Sequence, residues 1–168
     1  MAGLEALIAP SPWTAGMFDE EIVLGSHCRV LTDTSDGLLG YSVARLLVDE
    51  WHLLTLGTAP AVRRCGGARR LLQDLVRHAT AHGGHSLLLE VRASNLPART
   101  LYQDMGFHFL YARKGYYRLG AGTEDALFLC LPLVGPSVPS LQQAKLVCPA
   151  QEGNGPESGV VSQFSHKE

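Results

Sequence analysis

The sequence predicts an α+β domain with a mixed sheet and helices on its faces, and three observations lead there. Helical and β-prone segments follow one another in the order strand hairpin, strand, helix, strand, helix, strand, strand. The 168 residues, 46% apolar and 18% charged, suffice for one globular domain and leave no room for a second of full size. Composition then changes after Val134: Gly135-Pro136-Ser137-Val138-Pro139-Ser140 and Gly153-Asn154-Gly155-Pro156 are rich in turn formers and poor in apolar residues. Such a stretch buries too little surface to offset its chain entropy. The domain is therefore assigned to residues 1–134, and residues 135–168 to a disordered tail with at most a short helical piece around Leu141 to Val147.

Cys28 to Thr32 and Leu38 to Val48 are β-prone runs joined by Asp33-Thr34-Ser35-Asp36-Gly37, whose Asp-Gly pair is a turn signal. They form a hairpin. Trp51 to Thr58 is a third strand, ended before Pro60. Gly66 then opens a helix in which Ala68, Leu71, Leu72, Leu75, Val76 and Ala79 recur at helical spacing, with Arg69, Arg70, Gln73, Asp74, Arg77 and His78 on the other face. Gly83-Gly84 ends it. Ser86 to Val91 reads as a buried strand with neighbours on both sides. Ser94-Asn95 precedes Pro97 at the start of a short helix that buries Ala98, Leu101, Tyr102 and Met105 up to Gly106. Phe107 to Arg113 and Ala126 to Leu133 pair with each other across Gly120-Ala121-Gly122. There is no internal repeat.

A net charge of −2 gives no reason to expect nucleic-acid or membrane binding. The longest apolar runs, such as Leu127 to Val134, fall far short of the roughly 20 residues that span a bilayer. Met1 to Pro10 carries Glu5 and no Lys or Arg, so it lacks the basic start of a secretory signal, and a cytoplasmic protein is expected. Cys28, Cys65, Cys130 and Cys148 are widely scattered, which argues against a disulfide framework or a structural zinc site. His78 and His82 share a helical face but lack a third ligand, so no metal is expected.

The stretch richest in chemical information is Pro60 to Leu72. It joins a strand to an amphipathic helix through small residues, leaving backbone N–H groups uncovered at the positive end of the helix dipole. Such a turn can hold a phosphate, and Arg63 and Arg64 add charge. GxxxxGK(S/T) and GxGxxG are both absent, which disfavours an ATPase and a nicotinamide dehydrogenase. From spacing alone a second reading stands level: Gly66-Gly67 serves tight packing of strand on helix.

Arg63-Arg64-Cys65-Gly66-Gly67-Ala68 resembles the (Q/R)-x-x-G-x-(G/A) loop of the GNAT superfamily of acyl-CoA-dependent N-acetyltransferases. Leu89-Glu90-Val91-Arg92-Ala93-Ser94-Asn95, then Ala98, Leu101-Tyr102 and Gly106-Phe107, is similar to the pattern of the RimI type, which acetylates the N-terminal alanine of a small-subunit ribosomal protein. Pro12-Trp13 followed by Phe18, Gly115-Tyr116-Tyr117, and Glu124-Asp125-Ala126 resemble further segments of that pattern, so the likeness runs from Pro12 to Pro132. It implies the GNAT fold, acetyl-CoA as co-substrate, no metal, and a protein or peptide N-terminus, that of a ribosomal protein, as acceptor.

The resemblance also implies a site. In the family, two strands splay and the gap holds the thioester. Leu56, Gly57 and Thr58 would offer backbone groups to the pantetheine arm, Arg63, Arg64, Cys65, Gly66, Gly67 and Ala68 would take the diphosphate, and Asn95 would contact the cofactor. Glu90 corresponds to the base that frees the amine, acting through water, and Tyr102 to the acid that protonates the leaving thiolate. An N-terminal amine with a pKa of about 7.7 to 8.0, against roughly 10.4 for lysine, costs ~3 to 4 kcal/mol less to deprotonate, so a modest carboxylate suffices. Leu87-Leu88-Leu89 supplies apolar surroundings expected to raise the pKa of Glu90. Tyr116 and Tyr117 are assigned to the peptide groove, with packing on a strand edge as the alternative. Cys65 is given no catalytic role, since direct transfer needs no acyl-enzyme.

Without the motif, Glu90 reads as a buried ion-pair partner of Arg92 or Arg118, and Tyr102 as a core aromatic. The chain departs from the pattern at its start, where only Met1 to Ser11 precede Pro12-Trp13 and an initial strand and complete first helix are missing. Gly57 and Thr58 stand where Ala and Val are common. Lysine or small-amine acetylation, and a non-catalytic acyl-CoA-binding protein, are the alternative functions.

Overall fold

A computed structural model describes residues 1–119 and 122–133. The expected tail from 135 onward, its helical piece and the Gly120-Ala121 turn lie outside the described residues. The elements are α1 (Ala2–Ile8), α2 (Ala15–Val23), β1 (His27–Thr32), β2 (Leu38–Leu47), β3 (Glu50–Thr58), a 3-10 turn at Pro60–Val62, α3 (Gly67–Ala81), β4 (Ser86–Arg92), α4 (Leu96–Asp104), β5 (His108–Leu119) and β6 (Gly122–Pro132). The six strands form one sheet in the order β1-β2-β3-β4-β6-β5. It is mixed: β3 and β4 run parallel, while β4/β6 and β5/β6 are antiparallel. The predicted α+β class and every strand and helix predicted within the described residues are present.

Two elements escaped the prediction. The chain before β1 folds as α1 and α2, where the sequence showed no helix. At 7 and 9 residues they are too short for apolar periodicity to register. The signals that hold them are local. The Thr14 side chain accepts the N–H of Met17 at 3.4 Å, capping α2, while α1 buries Glu5 instead of an apolar stripe. β5 also extends past Arg113, with a register shift between Arg113 and Tyr117. Gly115 takes φ +62 within that irregularity, and its N–H donates to Asp125 at 2.9 Å.

The described residues fall into two compact units, Met1–Val43 with Thr55–Leu75, and Ala44–Leu54 with residues 76–133. In the first unit, Phe18 meets Tyr41 edge-on at 5.5 Å and Trp13 at 5.3 Å, over a core that includes Leu31, Leu71 and Leu72, each fully buried. Burying a leucine completely is worth about 1.5–3 kcal/mol, so this small core is enough to fix the helix against the sheet. Glu5 is 4% exposed there. Its carboxylate accepts the Tyr41 hydroxyl and, at 3.4 Å, the Trp13 N–H, which satisfies a group that would otherwise be costly to bury.

In the second unit, β4 lies between β3, from Glu50↔Ser86 to Leu53↔Leu89, and β6, from Ser86↔Pro132 to Arg92↔Ala126. Leu87, Leu89 and Val91 are buried, while Leu88, Glu90 and Arg92 alternate with them on the opposite face. Among the described residues no helix is long and apolar enough to cross a membrane.

Candidate active site

All of the residues expected to hold the cofactor except Asn95 lie in the first unit. Leu56, Gly57 and Thr58 end β3. A Cβ on Gly57 would stand 2.5 Å from Ile8 and 2.7 Å from the Tyr41 hydroxyl. The glycine in place of a commoner Ala is thus the accommodation to Ile8 of α1 and to the Tyr41 ring, which fill the space beside it.

The loop that follows turns through two left-handed residues, Arg64 at φ +65 and Gly66 at φ +83. A non-glycine residue in that region is strained, and such strain persists where the surroundings hold it. Gly66 is exposed, with no atom within 4 Å of where a Cβ would be. Gly67 is buried, and a Cβ there would meet Leu31 at 3.0 Å. The two readings of this pair therefore divide between its members: Gly66 shapes the turn, Gly67 allows close packing. Arg70 N–H donates to Gly66 O at 3.0 Å as α3 begins, so the amides of Gly67 and Ala68 have no acceptor within the helix. Arg63 and Arg64 are exposed beside them. An anion fits this donor set by charge and by backbone geometry. Cys28 and Cys130 are free and Cys65 is disulfide-bonded, where the scatter of the cysteines argues only against a disulfide framework. Spacing in sequence does not tell which thiols meet in space.

The proton-handling candidates lie in the second unit. Asn95 caps α4, its side-chain oxygen accepting the Ala98 N–H at 3.2 Å. That supplies a structural reason for Asn at this position beside the expected cofactor contact. Tyr102 is 7% exposed and packs on Phe107 with ring centroids 5.6 Å apart. Burial, and then the neighbouring Tyr117, push its hydroxyl well above the usual tyrosine range, so it keeps its proton.

Glu90 is exposed, against the expectation of apolar surroundings. The strand alternation explains the difference: Leu87 and Leu89 point to the other face, and Glu90 faces out opposite Phe128. The competing assignment of Glu90 to an ion pair with Arg92 or Arg118 is also not what forms. Among the described residues no ion pair includes Glu90, because Arg92 is taken by Glu124 at 3.3 Å.

Tyr117 is the residue that ties the group together. Burial chiefly, and then Glu90, raise its pKa, while Arg92 lowers it. It interacts electrostatically with both Glu90 and Tyr102. Tyr117 was placed in a peptide groove only through its motif; its link to the carboxylate was not visible in sequence. Tyr116 is exposed and stacks edge-on against Tyr117 at 5.1 Å. The outlying histidines His78 and His82 stack on each other at 3.9 Å, and among the described residues no group of three metal-ligating side chains forms.

The acetyltransferase (GNAT) family model matches residues 3–107, more than half of the chain. The ribosomal protein bS18-alanine N-acetyltransferase of Salmonella typhimurium is 35% identical over 98 residues, 58% of this chain and 66% of that protein. Its Escherichia coli counterpart is 34% identical over 96 residues, 57% of this chain and 65% of that protein. The chain thus spans just under two thirds of the length of these curated relatives. The crystal structure of the Escherichia coli ribosomal-protein-S18-alanine N-acetyltransferase superposes with a TM-score of 0.74 at 28% identity, over 84% of this chain and 90% of that one. Arabidopsis thaliana NAA60 in complex with acetyl-CoA gives 0.68 at 20% identity, over 78% and 91%, a likeness of fold. With the mixed sheet, the loop and these matches together, the chain belongs to the GNAT family of acetyltransferases.

Proposed function

We propose that this chain transfers the acetyl group of acetyl-CoA to the N-terminal α-amino group of a protein, with an alanine-initiated ribosomal protein as acceptor. The observation that carries the reading is the state of Glu90. It is an exposed carboxylate without an ion-pair partner among the described residues, on the face that also carries Tyr117, while Arg92, two residues along the strand, is engaged by Glu124. The similarity to the bS18-alanine N-acetyltransferases supports the acceptor.

Acetyl-CoA supplies an activated acyl carbon. Backbone groups of Leu56, Gly57 and Thr58 would hold its pantetheine arm, and the Arg63 to Ala68 loop its diphosphate, with Asn95 as a further contact. Glu90 takes a proton from the acceptor ammonium through water, which frees the nitrogen lone pair. The nitrogen–carbon bond then forms as the carbon–sulfur bond breaks; Tyr102 donates its retained proton to the departing sulfur, and the second proton leaving the nitrogen as the neutral amide forms restores the Tyr102 phenol through solvent. Holding both reactants in one geometry lowers the barrier further.

The test compares thiol release with two peptides, one beginning with a free alanine and one N-terminally blocked and containing lysine. Transfer to the first and not the second is expected. Faster transfer to the blocked peptide moves the acceptor to lysine, and tight acetyl-CoA binding with no thiol release over a panel of amines removes the enzyme reading.

A further inference from the structure

In the second unit the antiparallel register sets Glu90 opposite Phe128, Arg92 opposite Ala126, and Tyr117 opposite Glu124. Directly opposed residues share a face of the sheet. Arg92 is held there from two sides. Its Nη1 donates to Glu124 Oε2 at 3.3 Å, and its guanidinium carbon lies 3.9 Å from the centre of the Tyr117 ring. Glu124 is itself anchored, its Oε1 accepting the Ser94 N–H at 2.6 Å. The side chains of Arg92 and Glu124 are 16% and 10% exposed, so this is not a solvated surface pair.

A planar guanidinium over an aromatic face both attracts and orients the ring. The ring so oriented is that of Tyr117, whose hydroxyl senses Glu90 on one strand and Tyr102 on α4. We propose that Arg92, braced by Glu124, is a positioning residue that locks the Tyr117 ring on the sheet face it shares with Glu90, presetting a hydroxyl for the acceptor amine. This rests on the proposed transfer to an amine and goes beyond it, since it assigns the Arg92–Glu124 pair a part in acceptor binding. Arg92 acts through Tyr117, and preset geometry of this kind needs a supporting shell of side chains.

The experiment uses the full chain and the variants Arg92→Gln, Arg92→Lys, Tyr117→Phe and the double variant Arg92→Gln with Tyr117→Phe. Arg92→Gln, which removes the contact that orients the ring, and Tyr117→Phe, which removes the hydroxyl the ring presents, are each expected to raise the KM for an alanine-initiated peptide about tenfold. The KM for acetyl-CoA stays unchanged. Arg92→Lys gives no rescue, because an ammonium lacks the flat fork that lies on the ring. The double variant is no worse than Tyr117→Phe alone, the sign of two residues acting as one. Additive losses, or full rescue by lysine, overturn the proposal.

A second readout needs no substrate. The groups facing the Tyr117 hydroxyl are Glu90 and Arg92 from β4, Glu124 from β6, Tyr116 from its own strand and Tyr102 from α4. Removing the cation leaves only groups that raise its pKa. In NMR of the protein with 13C at the tyrosine Cζ, the Tyr117 phenol therefore titrates at higher pH in folded Arg92→Gln than in wild type. An unmoved Tyr117 signal overturns the lock. A wild-type chain inactive on every amine while that signal moves overturns the amine-site role through the reading it rests on, and leaves the lock itself standing.

Discussion

The loop from Arg63 to Ala68 and the cluster of Glu90, Tyr102 and Tyr117 are built on opposite principles. The loop is contiguous in sequence, and its donors are main-chain N–H groups presented by a left-handed turn at Gly66 and the start of α3. In the proposed role an anion there is held chiefly by main-chain geometry. The cluster draws single residues from β4, α4 and β5, and its chemistry belongs to side chains brought together by strand register. The contrast predicts that variants in the cluster disturb acceptor binding or the chemical step, whereas variants in the loop disturb cofactor affinity.

The sharpest way to break the comparison is at the proton-handling pair. Glu90→Gln should lower kcat by about 10²- to 10⁴-fold, and Tyr102→Phe by about 10²-fold, the range for losing a general base or acid. Acetyl-CoA affinity, measured by calorimetry, should be unchanged in both. Wild-type turnover in Glu90→Gln would remove the base assignment. A smaller effect is expected in the loop. Gly66 takes φ +83 in open space, so Gly66→Ala meets no clash but must hold a left-handed alanine. That strain is about 1–2 kcal/mol, and it should raise the KM for acetyl-CoA about fivefold or more with kcat near wild type. A kcat loss with normal cofactor KM would blur the division.

The smallest effect tests the first unit away from either site. Burial raises the pKa of Glu5, more than the Trp13 N–H lowers it. A carboxyl whose folded pKa exceeds its unfolded value binds its proton more tightly when folded, so it favours the native state at low pH. Stability is expected to fall as pH rises from about 4.3, the unfolded value, through the raised folded value. Glu5→Gln should flatten that slope in thermal melts across pH while leaving cofactor KM alone. An unchanged slope would show that Glu5 does not carry it.

How much of this was legible in the sequence follows from the same contrast. α3 was readable because Leu71, Leu72, Leu75 and Ala79 repeat over 15 residues, long enough for periodicity to stand out. α1 and α2 were not, since the caps and the buried Glu5–Tyr41 contact that hold them have no periodic signature. The loop could be picked out because the residues that shape it are consecutive. The exposure of Glu90 follows from period-two alternation, since Leu87 to Val91 form a strand with two distinct faces.

By itself the sequence determined the element types, the turn chemistry and the candidate loop, because these depend on interactions among residues close along the chain. Which arginine partners which carboxylate, and hence which carboxylate stays without an ion pair among the described residues, was decided only by the tertiary structure. Arg92 is two residues from Glu90 and far along the chain from Glu124, yet it is the β4/β6 register and the Tyr117 ring that hold the guanidinium on Glu124. Electrostatic partners are chosen by distance in space, and that distance is set when strands pair.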